Sequence, residues 1–345
     1  MSSSLVFGIY AGGQVGTTLG APDDPRAIAS LVTGLQTGHP HPGGTGDAGA
    51  RSGTQRPFLI REYLHHLGPR PDPEKVAVLR PARTMAALTM PDAWYTRHGR
   101  ELDLVLSYQP ETEDIDGWLE FITRVVARYG RIVRHLQVTL EPNFPIPWID
   151  GSSPGALTAL VRGTAHARRT LDAAGLGHVR VGFSVAEPAE WLGGDAEFWD
   201  RLAAVPAGEF ARHVDYVGLG LYPDAFSPTP HEHLVPMVEH ALTHLRTVSL
   251  PPLGLRPGTP VRICENGTPS TPDRSPEEQA ARLETMIRTI ASAAARHHVT
   301  HYELFALRDA DSARPEATAR FGLTTSDYRP KPAYETYRAL IGELG

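Results

Sequence analysis

Two glutamates each close a short apolar run. His135-Leu136-Gln137-Val138-Thr139-Leu140 leads into Glu141, and Pro260-Val261-Arg262-Ile263-Cys264 leads into Glu265. Each run reads as a buried strand followed by a turn, at Pro142-Asn143 in one case and Asn266-Gly267 in the other. In a barrel of parallel strands, a carboxylate at a strand's C-terminal end reaches the face where active sites are built. Two carboxylates at one mouth are equipped to cleave a glycosidic bond. With the groups about 5–5.5 Å apart, one attacks the anomeric carbon, and the other protonates the leaving oxygen and then deprotonates water. That work needs surroundings that push the two pKa values apart. Either Glu alone reads more readily as a solvated strand end; the pair is what points to chemistry.

The elements that must position them alternate along the chain. Strand-like segments cover 6–10, 58–62, 102–108, 136–141, 179–184, 216–222, 261–265 and 302–307. Helical patterns cover 24–36, 72–87, 115–129, 153–174, 198–205, 231–248, 275–298 and 332–344. The seventh helix has a marked start, with Ser275 as N-cap, Pro276 at the first position and Glu278 completing a capping box. Strand–helix alternation implies parallel pairing, because each crossover needs a helix. Eight such repeats predict one (β/α)8 TIM barrel over 1–345, with an open doubly wound sheet as runner-up. The Gly-, His- and Thr-rich stretch near 37–55 reads as a flexible loop on the face away from the chemistry. The proline-rich segments 142–154, 223–230 and 267–274 follow strands four, six and seven and are expected to wall the mouth.

Composition narrows the partners. The chain of 345 residues has a formal net charge of −6 and no long basic run, which argues against nucleic acid. A single cysteine, Cys264, excludes an internal disulfide, and strand alternation puts it in the layer opposite Glu265. No run approaches the length of a membrane span, and the start lacks a secretory pattern, so a cytoplasmic protein away from membranes is expected. The stretch Gly8 to Gly16 lacks dinucleotide-loop spacing, and His231 and His233 read as helix-start residues rather than zinc ligands. No metal or cofactor is expected.

Three segments carry a family resemblance. Ile263-Cys264-Glu265-Asn266-Gly267 is similar to a nucleophile strand, and Thr139-Leu140-Glu141-Pro142-Asn143 to an acid/base strand. The tail is the most specific: Phe305-Ala306-Leu307-Arg308-Asp309, then Phe321-Gly322-Leu323, then Arg329-Pro330-Lys331-Pro332-Ala333-Tyr334. Together they resemble the retaining glycoside hydrolases of the large (β/α)8-barrel clan, which carry the acid/base after strand four and the nucleophile after strand seven. The resemblance is weakest before about residue 100.

It implies Glu141 as acid/base and Glu265 as nucleophile, acting on a carbohydrate or a glycosylated small molecule. It implies that Tyr222 hydrogen-bonds the nucleophile. Apart from the resemblance, Arg61 at the end of the second expected strand is a partner for Glu265 or Glu62, with a buried structural ion pair as the alternative, and Tyr108, Trp148 and Phe305 are candidate platforms for sugar rings, with ordinary packing as the alternative for each. Glu187, Asp224 and Asp309 are further mouth candidates. One departure stands out. The family's Asn before the acid/base, which binds the sugar 2-hydroxyl, is Leu140 here. Asn143 is a candidate replacement. Leu140 leaves three readings open: a substrate without an ordinary 2-hydroxyl, another side chain in that role, or a barrel that binds carbohydrate without hydrolysing it. A transglycosylase or tailoring enzyme on the same two carboxylates is a further alternative.

Overall fold

A computed structural model describes residues 4–13, 20, 22–37, 56–79, 88–187, 195–225 and 229–345. Eight parallel strands form a closed barrel in sequence order: β1 (Val6–Tyr10), β2 (Phe58–His66), β3 (Arg100–Tyr108), β4 (Val133–Val138), β5 (Arg180–Ala186), β6 (Tyr216–Leu221), β7 (Val261–Asn266) and β8 (Val299–Leu304). Pairing of β1 with β8 closes the ring and excludes the open sheet. Helices α1 (Pro25–Thr37), α2 (Pro73–Leu79), α3 (Ile115–Tyr129), α4 (Ala156–Ala173), α5 (Asp195–Ala203), α6 (Leu234–His244), α7 (Pro276–His297) and α8 (Pro332–Leu344) follow the strands in turn. The fold is the expected (β/α)8 barrel. The loop expected near 37–55 lies outside the described residues from 38 onward, as does the second half of the helix expected over 72–87.

Strand alternation sorts the core into two layers. Phe58, Ile60 and Leu64 of β2, Leu102, Leu104 and Leu106 of β3, and Val217, Leu219 and Leu221 of β6 join the apolar layer packed under the helices. The residues between them face the barrel axis, and many are polar. Arg61 bonds Asp103 at 2.7 Å, and Arg262 bonds Glu303 at 2.7 Å and approaches Asp103 at 3.5 Å, all essentially sealed from solvent. Charges are tolerated in such a place only when paired, since removing one partner of a buried pair costs about 3–5 kcal/mol.

Several predicted details form. Ser275 Oγ accepts from the Glu278 amide, and Glu278 Oε2 accepts from the Ser275 amide. In the tail, Lys331 Nζ donates to Asp309 Oδ1 at 2.7 Å, and the Gly322 amide donates to the same oxygen. A side chain at Gly322 would run into the backbone of residues 308 and 309, so the tail needs glycine there. The Tyr337 hydroxyl then ties α8 to the Gly8 carbonyl of β1.

Several strand bounds shift from expectation, and three departures bear on the mouth. β2 runs on to His66, four residues past the expected end. β4 stops at Val138, so Glu141 stands on the exit turn rather than on the strand. β7 carries an irregularity: Leu219 registers with Ile263, but Gly220 registers with Glu265. The skipped residue is Cys264, whose Sγ lies beside Gly218. Cys264 is therefore on the same inner side as Glu265, not in the opposite layer, because the irregularity breaks the alternation.

Candidate active site

The mouth is built around Glu265, at the end of β7. Its Oε1 accepts from the Tyr63 hydroxyl at 2.6 Å and from Arg61 Nη2 at 3.2 Å, and its Oε2 accepts from the Tyr222 hydroxyl at 3.0 Å. Both oxygens are thus fixed in direction, with a cationic donor, Arg61, on one of them. Arg61 is itself held on three sides, by Asp103, by the Gln137 carbonyl oxygen at 2.9 Å, and by the Tyr63 hydroxyl, to which its Nε donates at 2.7 Å. Arg61 thus pairs with Glu265 and not with Glu62. Glu62 has the opposite strand parity, and it accepts from Tyr95 and Thr89 outside the barrel.

Glu141 reaches the same place by a strained route. Thr139 and Glu141 have φ of 68° and 48°, in the left-handed region that a β-branched Thr rarely adopts. Each such residue costs about 1–3 kcal/mol and persists only when its surroundings enforce it. Here the Thr139 carbonyl accepts from Gln137 Nε2, the Glu141 amide donates to Ser184 Oγ, and the Leu140 amide donates to Asp150 Oδ2 at 2.8 Å. Asp150 is fully buried and also accepts from Ser107 Oγ and the Tyr108 amide, so it ties the exit of β4 to the end of β3. Burial pushes its acid up to about 7, against the pull of those donors.

Gly220 joins the two halves. A Cβ on Gly220 would overlap Glu141 Oε1, and Gly220 is the register partner of Glu265. The Glu141 carboxyl therefore lies over β6 where a side chain is missing, beside the strand that carries Glu265. The electrostatics agree. Burial and then the charge of Glu265 raise the Glu141 acid well above the carboxylate range. Glu187, just past β5, is raised to about 7 by burial, and it accepts from the Tyr222 amide.

The remaining candidates divide. Phe305 is half-buried at the mouth, stacked on Tyr10 with ring centroids 5.1 Å apart and edge-on to Tyr222 at 6.5 Å. Trp148 is half-buried on the β4 exit loop, where its carbonyl accepts from Gln109. Tyr108 is not at the mouth. Its parity is that of Leu102, Leu104 and Leu106, so it is sealed under α3 against Trp118, and its hydroxyl accepts from the Asp114 amide. Asn143 is engaged with β5. Its Oδ1 accepts from the Ala186 amide and its Nδ2 donates to the Ala186 carbonyl, which docks the loop on β5. Asp224 and Asp309 are consumed by Arg282 and Lys331.

Sequence reasoning does not pick out Tyr63, Asp150 or Gly220. The signal for Tyr63 was present, two residues on from Arg61 and so on the same side of a strand read long enough. Among the described residues, no group of three or more His, Cys, Asp or Glu is arranged to hold a metal ion. Among them, no helix is long and apolar enough to cross a membrane.

No protein-family model and no curated protein sequence matches the chain. Solved structures do. A family 39 glycoside hydrolase from the gut symbiont Bacteroides cellulosilyticus WH2 superposes with a TM-score of 0.59 at 16% identity, over 99% of this chain and 64% of that one. This chain thus spans less than two thirds of that protein's length. A family 1 β-glucosidase from Thermotoga maritima gives 0.59 at 11% identity, over 100% of both chains. An active-site mutant of Rhizomucor miehei β-1,3-glucanosyltransferase in complex with laminaritriose gives 0.55 at 13%, over 95% of this chain and 96% of that one. At these identities, the fold is what the chain shares with them.

Proposed function

We propose that this barrel hydrolyses a glycosidic bond with retention, in two steps on two glutamates. In the first, a Glu265 oxygen attacks the anomeric carbon while Glu141 gives its proton to the departing oxygen. In the second, Glu141, now ionised, takes a proton from water, the water oxygen attacks the same carbon, and the glycosyl–Glu265 ester opens. What supports this reading most is that the Glu141 carboxyl lies over Gly220, the register partner of Glu265, and feels the Glu265 charge in surroundings unlike those of Glu265. Glu265 is ringed by the donors Arg61, Tyr63 and Tyr222. Burial and the Glu265 charge hold Glu141 above the usual carboxylate range, which favours the protonated form that a general acid needs. Phe305 offers a flat face for a sugar beside them, as Trp148 does on the β4 exit loop. The likeness in fold to glycoside hydrolases is in keeping with it.

The test is Glu265→Gln assayed on aryl glycosides of both anomers. The reading expects turnover by the wild-type protein, loss of about 10³-fold or more in the variant, and first-formed product of unchanged anomeric configuration by NMR. An unimpaired variant would overturn the assignment. Saturable binding across a sugar panel without any turnover would identify instead a barrel that holds carbohydrate and does not cleave it. Transfer to an acceptor sugar in preference to water would mark a transglycosylase on the same residues.

A further inference from the structure

A small apolar cluster adjoins the two glutamates. Leu140, the chain neighbour of Glu141, packs with Tyr10, Tyr63, Val105 and Ala306, with Ile149 and Phe305 at the edge. Tyr63 is the residue whose hydroxyl holds Glu265. One apolar cluster thus contains the chain neighbour of Glu141 and the tyrosine that holds Glu265, and a sugar carbon next to the anomeric centre would rest against it.

Among the described residues, several polar side chains near this cluster already have partners. Gln137 gives its amide to the Thr139 carbonyl and Ser184 Oγ and takes Arg61 on its oxygen. Asn143 is spent on Ala186, Ser107 on Asp150, and Tyr63 and Tyr222 on Glu265.

An anomeric carbon has two ring neighbours, the ring oxygen and C2, and only C2 bears a hydroxyl. A hydroxyl pressed on Leu140 gives up its water hydrogen bonds for nothing. A C2 without one loses nothing there. It also withdraws less electron density from the positive charge that develops at C1, so the transition state needs no help at that position. Resting on the two-glutamate reading, the geometry points to a 2-deoxy glycoside as the substrate class of this site, with Leu140 as the residue that selects it. Apolar contact alone rejects an added hydroxyl only modestly, so the preference expected is about 10–100-fold.

The experiment uses the full chain and matched 4-nitrophenyl glycosides, gluco and galacto, α and β, each paired with its 2-deoxy counterpart. Every kcat/KM is divided by the spontaneous hydrolysis rate of the same compound, which removes the greater intrinsic lability of 2-deoxy glycosides. The expected result is a normalised preference of about 10–100-fold for the 2-deoxy member in the wild type. In Leu140→Asn that ratio should fall by about 10-fold or more, with Leu140→Ser as a second variant should the amide not be accommodated. A wild type that favours the 2-hydroxy member, or a ratio unmoved in both variants, overturns the inference while leaving the hydrolase reading intact. Turnover of no pair by the wild type, or turnover undiminished in Glu265→Gln, overturns the two-glutamate reading and this inference with it.

Discussion

Glu141 owes its position to an absence. The side chain that Gly220 lacks is the space the Glu141 carboxyl occupies. Gly220→Ala should therefore cost about 100-fold or more in kcat/KM on an aryl glycoside, with the far-UV circular dichroism of the barrel unchanged; near-native activity would show that Glu141 has another productive position. The same pair sets a titration. Burial and the Glu265 charge both favour the protonated form of Glu141, so Glu265→Gln should lower its midpoint. Carbon-detected NMR of labelled glutamate would read the shift, and a midpoint that stays put or rises would refute the coupling. On the other side, Tyr222→Phe removes one donor from Glu265 Oε2. A hydrogen bond to a charged group contributes about 1.5–3 kcal/mol, so kcat/KM should fall by about 10–100-fold. At this scale, the residue types were legible in the sequence and their directions only partly so. Arg61, in the middle of β2, and Tyr222, just past β6, both bond Glu265, whereas Tyr108 shares the parity of the outward leucines.

The exit loop of β4 is the element on which the arrangement depends. A strand reading ends this segment on Glu141, because Leu136, Val138 and Leu140 alternate as a strand would. The chain instead leaves the sheet at Val138 and turns through two left-handed residues, which no local pattern in Thr139-Leu140-Glu141 announces. What bends it is Asp150, ten residues on, whose carboxylate takes the Leu140 amide with one oxygen and Ser107 with the other. Such a contact depends on which loop folds back on which strand, and that is fixed only once the barrel has closed. Asp150 is thus a positioning residue. Asp150→Ala strands two buried backbone donors and should lower kcat by about 10-fold or more together with the melting temperature. Asp150→Asn keeps an acceptor oxygen and should recover most of both. Equal damage from the two variants, or damage to stability with kcat untouched, would make the role merely structural.

The whole molecule was the most legible level. Eight apolar runs separated by helical patterns leave little but a closed parallel barrel, and α8 is tied to β1 through the Tyr337 hydroxyl. The sequence left unstated how much of the barrel's inside would be charged, because an inward Arg or Glu on a strand reads like a solvated one until the ring closes. Arg61, the group that holds Glu265, is the upper end of that ionic column, and Glu303 is part of its floor.

Burial and the neighbouring Asp103 push the Glu303 acid up to about 8, against an ordinary 4.5. The folded state therefore binds this proton more tightly than the unfolded chain does. The stability it contributes is full below pH 4.5 and is lost as pH rises through 8. Buried His135, lowered to about 4, works in the opposite sense, but only below its ordinary 6.5. Between pH 6.5 and 9 the Glu303 effect is thus left unopposed by that histidine, and the melting temperature should fall across this window by about 2 °C or more. Glu303→Gln keeps the volume and one acceptor for Arg262 but has no proton to lose, so its melting temperature should vary less with pH over the same window, whatever its absolute value. Calorimetry of the two proteins at matched ionic strength decides it. Parallel pH curves would mean that Glu303 stays in one protonation state throughout, and that the column beneath Glu265 keeps a fixed charge.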